Sequence, residues 1–587
     1  MNIFYEMASR LGFYKDVKNC LLKGFTPCAV TGVSNIHKAQ TAMALSRLSP
    51  CLVICDDEAS AIRMTGDINE MAGEQLACVF PAKDLNFAYM EGVSREYEHK
   101  RLEALSLITQ GKCKIIAASM EACLQGTIPQ DKLKEFSFEI KTGGELSLEE
   151  LTNKLLAGGY TRTDQVEGQA QFSVRGSIAD IFPVQESRPV RIELWGDEVD
   201  SISYFDPESQ RRTDPIDEIT VFPALEIIFP DTDDLVTKLE ALSKSVRGSR
   251  TDKIRTNISR DIETAQSGIT LTNLDKYYTV CYDKLTTVFD YFESGVCLVS
   301  EYTNCIEKGK AALAQLSEDM KLLYEDGILF RKLEGFYLDI PQAELKITQM
   351  KSVFLDSFMR SNNGVKFKKL INTDCRQTAA WGGNIINLEE ELKNLCSQGY
   401  CAVVLAGSEK TLHIINKDLN DAGISAEILT EDSEIIKGKV YLRTGCLSGG
   451  FDYPDIGCAA ITQMKAMRAK KRKSRHKAGE EIKSLSDIQT GDLVVHAMYG
   501  IGRFSGIKNI ETNGVTKDYI TIKYAGTDVL YVPVTQLDLV SRYIGPRDDG
   551  AVKLNKLNSM EWTKTRNKVK SAVKDMAEEL TKLYAQR

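Results

Sequence analysis

Short, unbroken apolar runs spaced by helix-length segments constrain this 587-residue chain most. CAVTG (28–32), CLVICDD (51–57) and CKIIAAS (113–119) carry no polar alternation, so each reads as a strand covered on both faces. Helical patterns at 58–72 and 95–109 separate them, and apolar runs alternating with helices predict a parallel, Rossmann-type sheet over residues 1–118. The texture returns at 335–464, where CAVVLAG (401–407), a helix from Glu409 to Leu419, AEILT, KVYLRTG (439–445) and GCAAITQM (457–464) predict a second small α/β domain.

Between these units the pattern changes. FSVRGSIADIFPV and RPVRIELWGDEVDSISYF alternate polar and apolar residues around a Gly-Asp turn, which predicts an antiparallel α+β insertion over 119–205. Residues 206–334 return to mixed helix and strand and continue the first domain. A basic linker spans 465–488. Over 489–548, DLVVHAMYGIGRFSGI and DYITIKYAGTDVLYVPV place strands between Gly-containing turns, as in a small Tudor- or SH3-like barrel. Residues 549–587 lead into a long helix whose seam is Val569, Val573, Met576, Leu580 and Leu583.

The stretch TGVSNIHKA (31–39) joins the first strand to a helical pattern, the context of a phosphate-binding loop. Set against G-x-x-x-x-G-K-[ST], Gly32 and Lys38 are in register, whereas His37 replaces the second glycine and Ala39 the Mg²⁺-binding hydroxyl. A Cβ at His37 blocks close approach of backbone amides to phosphate. The third strand ends in Ser119 rather than an acidic pair that could hold metal and place water. The loop therefore reads as a degenerate, non-functional P-loop (Gly32, His37, Lys38, Ala39), with Lys38 solvated or ion-paired. No catalytic residue, metal ligand or cofactor is expected in this chain.

Charge and cysteine usage narrow the function classes. A net charge of −8 excludes a polycationic nucleic-acid binder, so any such contact needs a local patch. The best candidate, KAMRAKKRKSRHK (465–477), holds eight Lys or Arg in thirteen positions. It lacks aromatic residues for base stacking and reads as a solvated linker. No apolar run approaches the ~20 residues of a membrane helix. The 15 cysteines sit mostly in apolar runs without C-x-x-C, as reduced, buried thiols.

Two long motifs carry a family resemblance. GYTRTDQVEGQAQFSVRGSIADIFPVQESRPVRIELWGDEVDSISYFDP (159–207) resembles the segment of the repair helicase subunit UvrB that binds UvrA. GDLVVHAMYGIGRFSGI…KDYITIKYAGTDVLYVPVTQLDLVSRYIG (491–545) is similar to the RNA-polymerase-interacting module of CarD-type regulators and transcription-repair coupling factors. The two in this order, with MEWTKTRNKVKSAVKDMAEELTKLYAQR at the end, resemble the N-terminal half of the coupling-factor family. That resemblance implies a degenerate helicase-like domain, an inserted UvrA-binding domain and a polymerase-binding barrel. The family's ATP- and Mg²⁺-dependent motor, through which it mainly contacts DNA, would follow Arg587.

The resemblance also implies roles. UvrA-binding positions fall on Arg162, Arg175 and Arg191, with Glu193 as the accompanying acid and Phe182 as an apolar anchor; arginines and aromatics are frequent binding anchors. The alternative is that Arg175 pairs internally with Asp180 and Phe182 is core. Binding to the polymerase β subunit falls on Lys508, Asn509, Ile510 and Glu511, through pairing at a strand edge; alternatively Ile510 fills the barrel core. His496 is expected to be structural. The implied protein is a non-catalytic, monomeric, cytoplasmic bacterial platform, with UvrA binding unmasked and no membrane contact. A nucleotide-dependent helicase fragment and a CarD-like regulator with an α/β appendage are the other readings.

Overall fold

The computed structural model describes residues 2–463 apart from short stretches (86, 88–94, 208, 249, 268–270, 359–363, 379–380 and 431–432). It also describes 480–481, 490–496, 499–512, 515–526, 528–533, 540–543 and 554–557. The basic run at 465–477 and the C-terminal helical pattern from 558 onward lie outside the described residues.

The N-terminal unit is built on a seven-stranded sheet. Its order is Lys369–Asn372, Cys28–Thr31, Lys351–Asp356, Val296–Ser300, Cys51–Cys55, Ile115–Ser119, Ala77–Phe80, and every pairing is parallel. Alternation along each strand divides the side chains between two cores. Ala29, Leu52, Ile54, Ile116, Ala118, Val299 and Phe354 enter one. Cys28, Val30, Cys51, Val53, Ile115, Ala117, Leu298 and Leu355 enter the other. Both faces are covered, which is why these strands read as unbroken apolar runs.

The boundary expected at residue 335 falls too early. Lys351–Asp356 and Lys369–Asn372 flank Cys28–Thr31 in the first sheet. Which sheet a parallel strand joins is settled by contacts hundreds of residues apart, and periodicity carries no trace of that.

The second sheet runs Arg376–Thr378, Gly450–Tyr453, Cys458–Thr462, Cys401–Ala406, Val440–Thr444, Ala426–Ile428. One of its faces packs on helices Ile385–Ser397 and Glu409–Asp421. From the other, Val403, Leu405, Tyr441, Phe451 and Tyr453 join the same core as helices Ile3–Arg10, Gly12–Lys23, Asn35–Leu45 and Glu58–Ala72. Helix Asn35–Leu45 is consequently buried from Ile36 through Leu45, on all sides rather than on one apolar stripe.

The insertion forms a six-stranded sheet ordered Arg212–Ile216, Glu198–Phe205, Val190–Trp195, Ile178–Ile181, Gln171–Arg175, Thr161–Arg162. All its pairings are antiparallel except the short one at Thr161–Arg162. The C-terminal module is a six-stranded antiparallel sheet ordered Glu480–Glu481, Val540–Arg542, Leu493–His496, Gly500–Thr512, Val515–Lys523, Val529–Pro533. Val494, Phe504, Ile520, Ile522, Leu530 and Val532 form its core. No disulfide links any of the 15 cysteines, and most are buried. Among the described residues no helix is long and apolar enough to cross a membrane.

Candidate functional site

The loop after Cys28–Thr31 sits where a phosphate would bind, at the carboxyl end of a parallel strand and the start of a helix. Its first amides are engaged within the protein. The Gly32 and Val33 N–H groups donate to the Asp356 carbonyl at 3.1 and 3.4 Å. Gly32 has φ +88°, and a Cβ there would lie 2.3 Å from the Thr373 carbonyl oxygen, so the turn closes onto protein backbone.

His37 closes the helix start. Its Nδ1 accepts from the Ser34 N–H at 3.1 Å and lies 2.9 Å from Ser34 Oγ, completing a capping box in the role usually taken by Glu or Gln. The ring is buried against Phe451 and Tyr453 of the second sheet, with centroids 6.2 and 5.3 Å apart. Burial lowers its pKa to about 4, so the ring is neutral and cannot supply charge to an anion.

Lys38 points elsewhere. Its ammonium is fully buried, 2.6 Å from Glu301 Oε1 and 3.2 Å from Ser300 Oγ. The same Glu301 oxygen accepts from the Ser357 N–H at 2.9 Å and the Ser357 hydroxyl at 2.6 Å. Burial alone would raise the Glu301 carboxyl; Lys38 and Ser357 outweigh it and hold the pKa below the usual value. Glu301 adopts a positive φ in the left-handed region, where strand Val296–Ser300 passes into helix Tyr302–Glu325. That conformation is rare for a residue with a Cβ. Of the two sequence alternatives for Lys38, the ion pair is the one present. Its partner lies 263 residues away, beyond the reach of motif reading.

The inserted sheet has one buried and one outward face. Phe172, Ala179, Ile181, Val190, Ile192, Leu194, Val199 and Ile202 fill the buried side. Ser173, Asp180, Arg191 and Ser203 form one cross-strand row on the other side, and Arg175, Ile178, Glu193 and Ser201 the next. Asp180, only 1% exposed, anchors the first row. One of its oxygens accepts from Arg175 Nη2 at 2.7 Å. Arg191 binds it bidentately, through Nε at 2.7 Å and Nη2 at 2.9 Å. Such forked pairing fixes the guanidinium plane as well as its position.

Arg191 is further fixed by the Gln210 carbonyl at 3.0 Å and by the Phe205 ring, 4.7 Å from its guanidinium carbon. The Asp180 bond to Arg191 raises the guanidinium pKa. Two guanidiniums on one carboxylate leave a net positive charge, and the Arg175 side chain stays 49% exposed. Arg162 and Arg175 line one open concavity of about 650 Å³ with Thr163, Asp164, Ser173 and Val174.

The sequence-selected residues thus separate. Arg175 shares a concavity with Arg162 and the Asp180 carboxylate with Arg191, and its internal pairing with Asp180 coexists with its exposure. Glu193 forms an ion pair with Arg212, a partner the sequence did not suggest. Phe182, half-buried, lies beyond Ile181 at the opposite strand end from Ile178, Arg175's partner. Sequence reasoning missed Trp195, which is 84% exposed two residues past Glu193 on the same strand.

In the C-terminal module, strand Gly500–Thr512 pairs with Val515–Lys523 along most of its length. On its other side it pairs with Leu493–His496 only through Gly500–Arg503. The register shifts between Phe504 and Gly506, and Gly506 takes a positive φ open to glycine. Such a bulge bends a strand out of plane. Among the described residues, positions 507–512 therefore keep one backbone edge without a ladder partner. Ile507 and Lys508 are exposed. Asn509, Ile510 and Glu511 occupy the next strand positions, opposite Asp518, Lys517 and Thr516; their side chains lie outside the described residues. His496 is buried and its pKa is lowered to about 4 by desolvation.

Comparison with known proteins defines the class first. Residues 138–226 match the UvrB interaction domain, and residues 488–544 match the CarD-like/TRCF RID domain. The chain is therefore a multidomain protein carrying two recognised interaction modules on an α/β framework. Along nearly its whole length it is similar to proteins named transcription-repair-coupling factor. It is 29% identical to that of Bacillus subtilis (strain 168) over 98% of this chain and 50% of the relative. It is also 29% identical to that of Staphylococcus haemolyticus (strain JCSC1435) over 95% of this chain and 48% of the relative. With Staphylococcus aureus (strain MRSA252) the identity is 27%, over 97% and 49%. The chain spans about half the length of the curated relatives it matches.

Proposed function

We propose that the chain is the docking platform of a transcription-repair coupling factor. It holds RNA polymerase through the C-terminal module and recruits UvrA for nucleotide excision repair through the inserted sheet. The observation that carries this reading is the presence in one chain of both the UvrB interaction domain and the CarD-like/TRCF RID domain.

The site geometry supports a division of labour. Arg162, Arg175 and Arg191 offer a basic, preorganised face to acidic groups of UvrA, with Glu193 and Phe182 at its margins. The edge at 507–512, without a ladder partner among the described residues, accepts a strand of the polymerase β subunit, with Lys508, Asn509, Ile510 and Glu511 supplying specificity. The degenerate loop is read as scaffold rather than as a nucleotide site, a reading supported by the Lys38–Glu301 pair, the His37 cap and the Gly32 and Val33 N–H groups on the Asp356 carbonyl. The platform acts without nucleotide, metal or other cofactor, as a monomer in the bacterial cytoplasm. ATP-driven movement on DNA belongs to the remainder of such a factor.

The test is binding of the purified chain to UvrA and, separately, to RNA polymerase core enzyme, without nucleotide. Both should bind. Arg175→Glu should remove UvrA binding and Ile510→Asp polymerase binding, each leaving the circular-dichroism spectrum unchanged. Absence of UvrA binding, or binding indifferent to Arg175→Glu, contradicts the assignment.

A further inference from the structure

Trp195 is the most exposed large apolar side chain among the described residues, at 84%. Its strand, Val190–Trp195, sends Val190, Ile192 and Leu194 into the core and Arg191, Glu193 and Trp195 outward. The outward position calls for a polar residue if only folding is at stake. Its cross-strand partner is Glu198, across the Gly196 turn. On the other side, the Leu194 N–H donates to the Ser177 carbonyl and sets the strand end beside the Gly176–Ser177 turn, which immediately follows Arg175. The indole therefore stands out to solvent beside two adjacent turns.

Position and charge indicate what it meets. The Trp195 and Arg175 strands are two ladder spacings apart, about 10 Å. One partner's share of an ordinary protein interface is roughly 800 Å², so a single footprint covers both residues. Tryptophan and arginine are the residue types most enriched where binding energy concentrates. A nucleic acid would also stack on an indole. Here, however, Asp197, Glu198 and Asp200 are exposed around the turn and repel phosphate.

We propose that Trp195 is the aromatic anchor of the UvrA-docking face. The partner surface then presents an apolar recess for the indole, about a nanometre from a carboxylate that meets Arg175. This rests on the UvrA reading and deepens it.

The experiment measures UvrA affinity of the full chain and its variants Trp195→Ala, Trp195→Phe and Arg175→Glu, together with iodide quenching of tryptophan emission. A single-stranded oligonucleotide is titrated in parallel. Trp195→Ala should weaken UvrA binding by at least about 30-fold and Trp195→Phe by less than about tenfold. UvrA should shield the wild-type emission from iodide, and that shielding should vanish in Trp195→Phe. If Arg175→Glu abolishes binding while Trp195→Ala leaves it unchanged, this inference falls and the UvrA reading stands. If the wild-type chain does not bind UvrA, both fall. Oligonucleotide binding lost in Trp195→Ala with UvrA binding intact makes the face a nucleic-acid surface and overturns the proposal.

Discussion

Glu301→Gln is the sharpest perturbation of the closed loop. The Lys38 ammonium is fully buried, and among the described residues its charged partner at bonding distance is Glu301, whose side chain is 15% exposed. Removing one member of a buried pair costs about 3–5 kcal/mol, because the other charge is left without compensation. Ser300 Oγ still accepts from Lys38 and Glu301 touches solvent, so the expected loss is near the lower end, about 3 kcal/mol. That corresponds to roughly a hundredfold more frequent opening of the structure that holds the pair.

Lys38→Met removes the buried charge itself and leaves Glu301 bonded to Ser357, so it should cost much less, about 1 kcal/mol. The double variant should be no worse than Glu301→Gln alone, since the two changes share one interaction. In a chain of several domains a single melting temperature is poorly defined. Native-state hydrogen exchange of the amides in helix Asn35–Leu45 is the suitable assay. A stability for Glu301→Gln within about 0.5 kcal/mol of wild type is what an ordinary surface substitution gives, and would refute the structural role of the pair. So would a larger cost for Lys38→Met than for Glu301→Gln.

Two further outcomes follow from buried groups. His37 and His496 have pKa values lowered to about 4, so between the ordinary value of 6.5 and 4 the unfolded chain takes up protons that the folded chain does not. Stability should fall as pH falls through that window, by up to about 1.4 kcal/mol per pH unit for each histidine, and His37→Gln should remove its share in pH-dependent unfolding. Asp180→Asn should cost about 2 kcal/mol in denaturant unfolding of the inserted sheet, a discounted figure because Arg175 is half exposed and Arg191 keeps its Gln210 bonds. It should also weaken UvrA binding by freeing both guanidiniums from their shared anchor; unchanged stability and binding would mean the anchor is dispensable.

The apolar runs at 28–32, 51–57, 113–119 and 401–407 identify strands covered on both faces because such burial leaves no polar alternation. The departure of 31–39 from the P-loop pattern is also legible, since a missing glycine and hydroxyl have direct steric and coordination consequences. What occupies the loop was not: Glu301, Asp356, Phe451 and Tyr453 arrive from far along the chain, and Ser-x-x-His is an uncommon form of a capping box. Sheet membership of Lys351–Asp356 and Lys369–Asn372 was hidden for the same reason. Trp195 differs. The alternation V-R-I-E-L-W already places it on the face of Arg191 and Glu193, because strand side chains repeat every two residues. The signal is present in the alternation, outside the motif positions.

The most direct measurement of the account is the mass of complexes formed when the chain, UvrA and RNA polymerase core enzyme are mixed without nucleotide. A single platform with two separate docking modules predicts a ternary complex. Arg175→Glu should reduce it to the polymerase complex alone, and Ile510→Asp to the UvrA complex alone. Loss of both partners on either substitution, or a ternary complex that forms only with ATP, would contradict it.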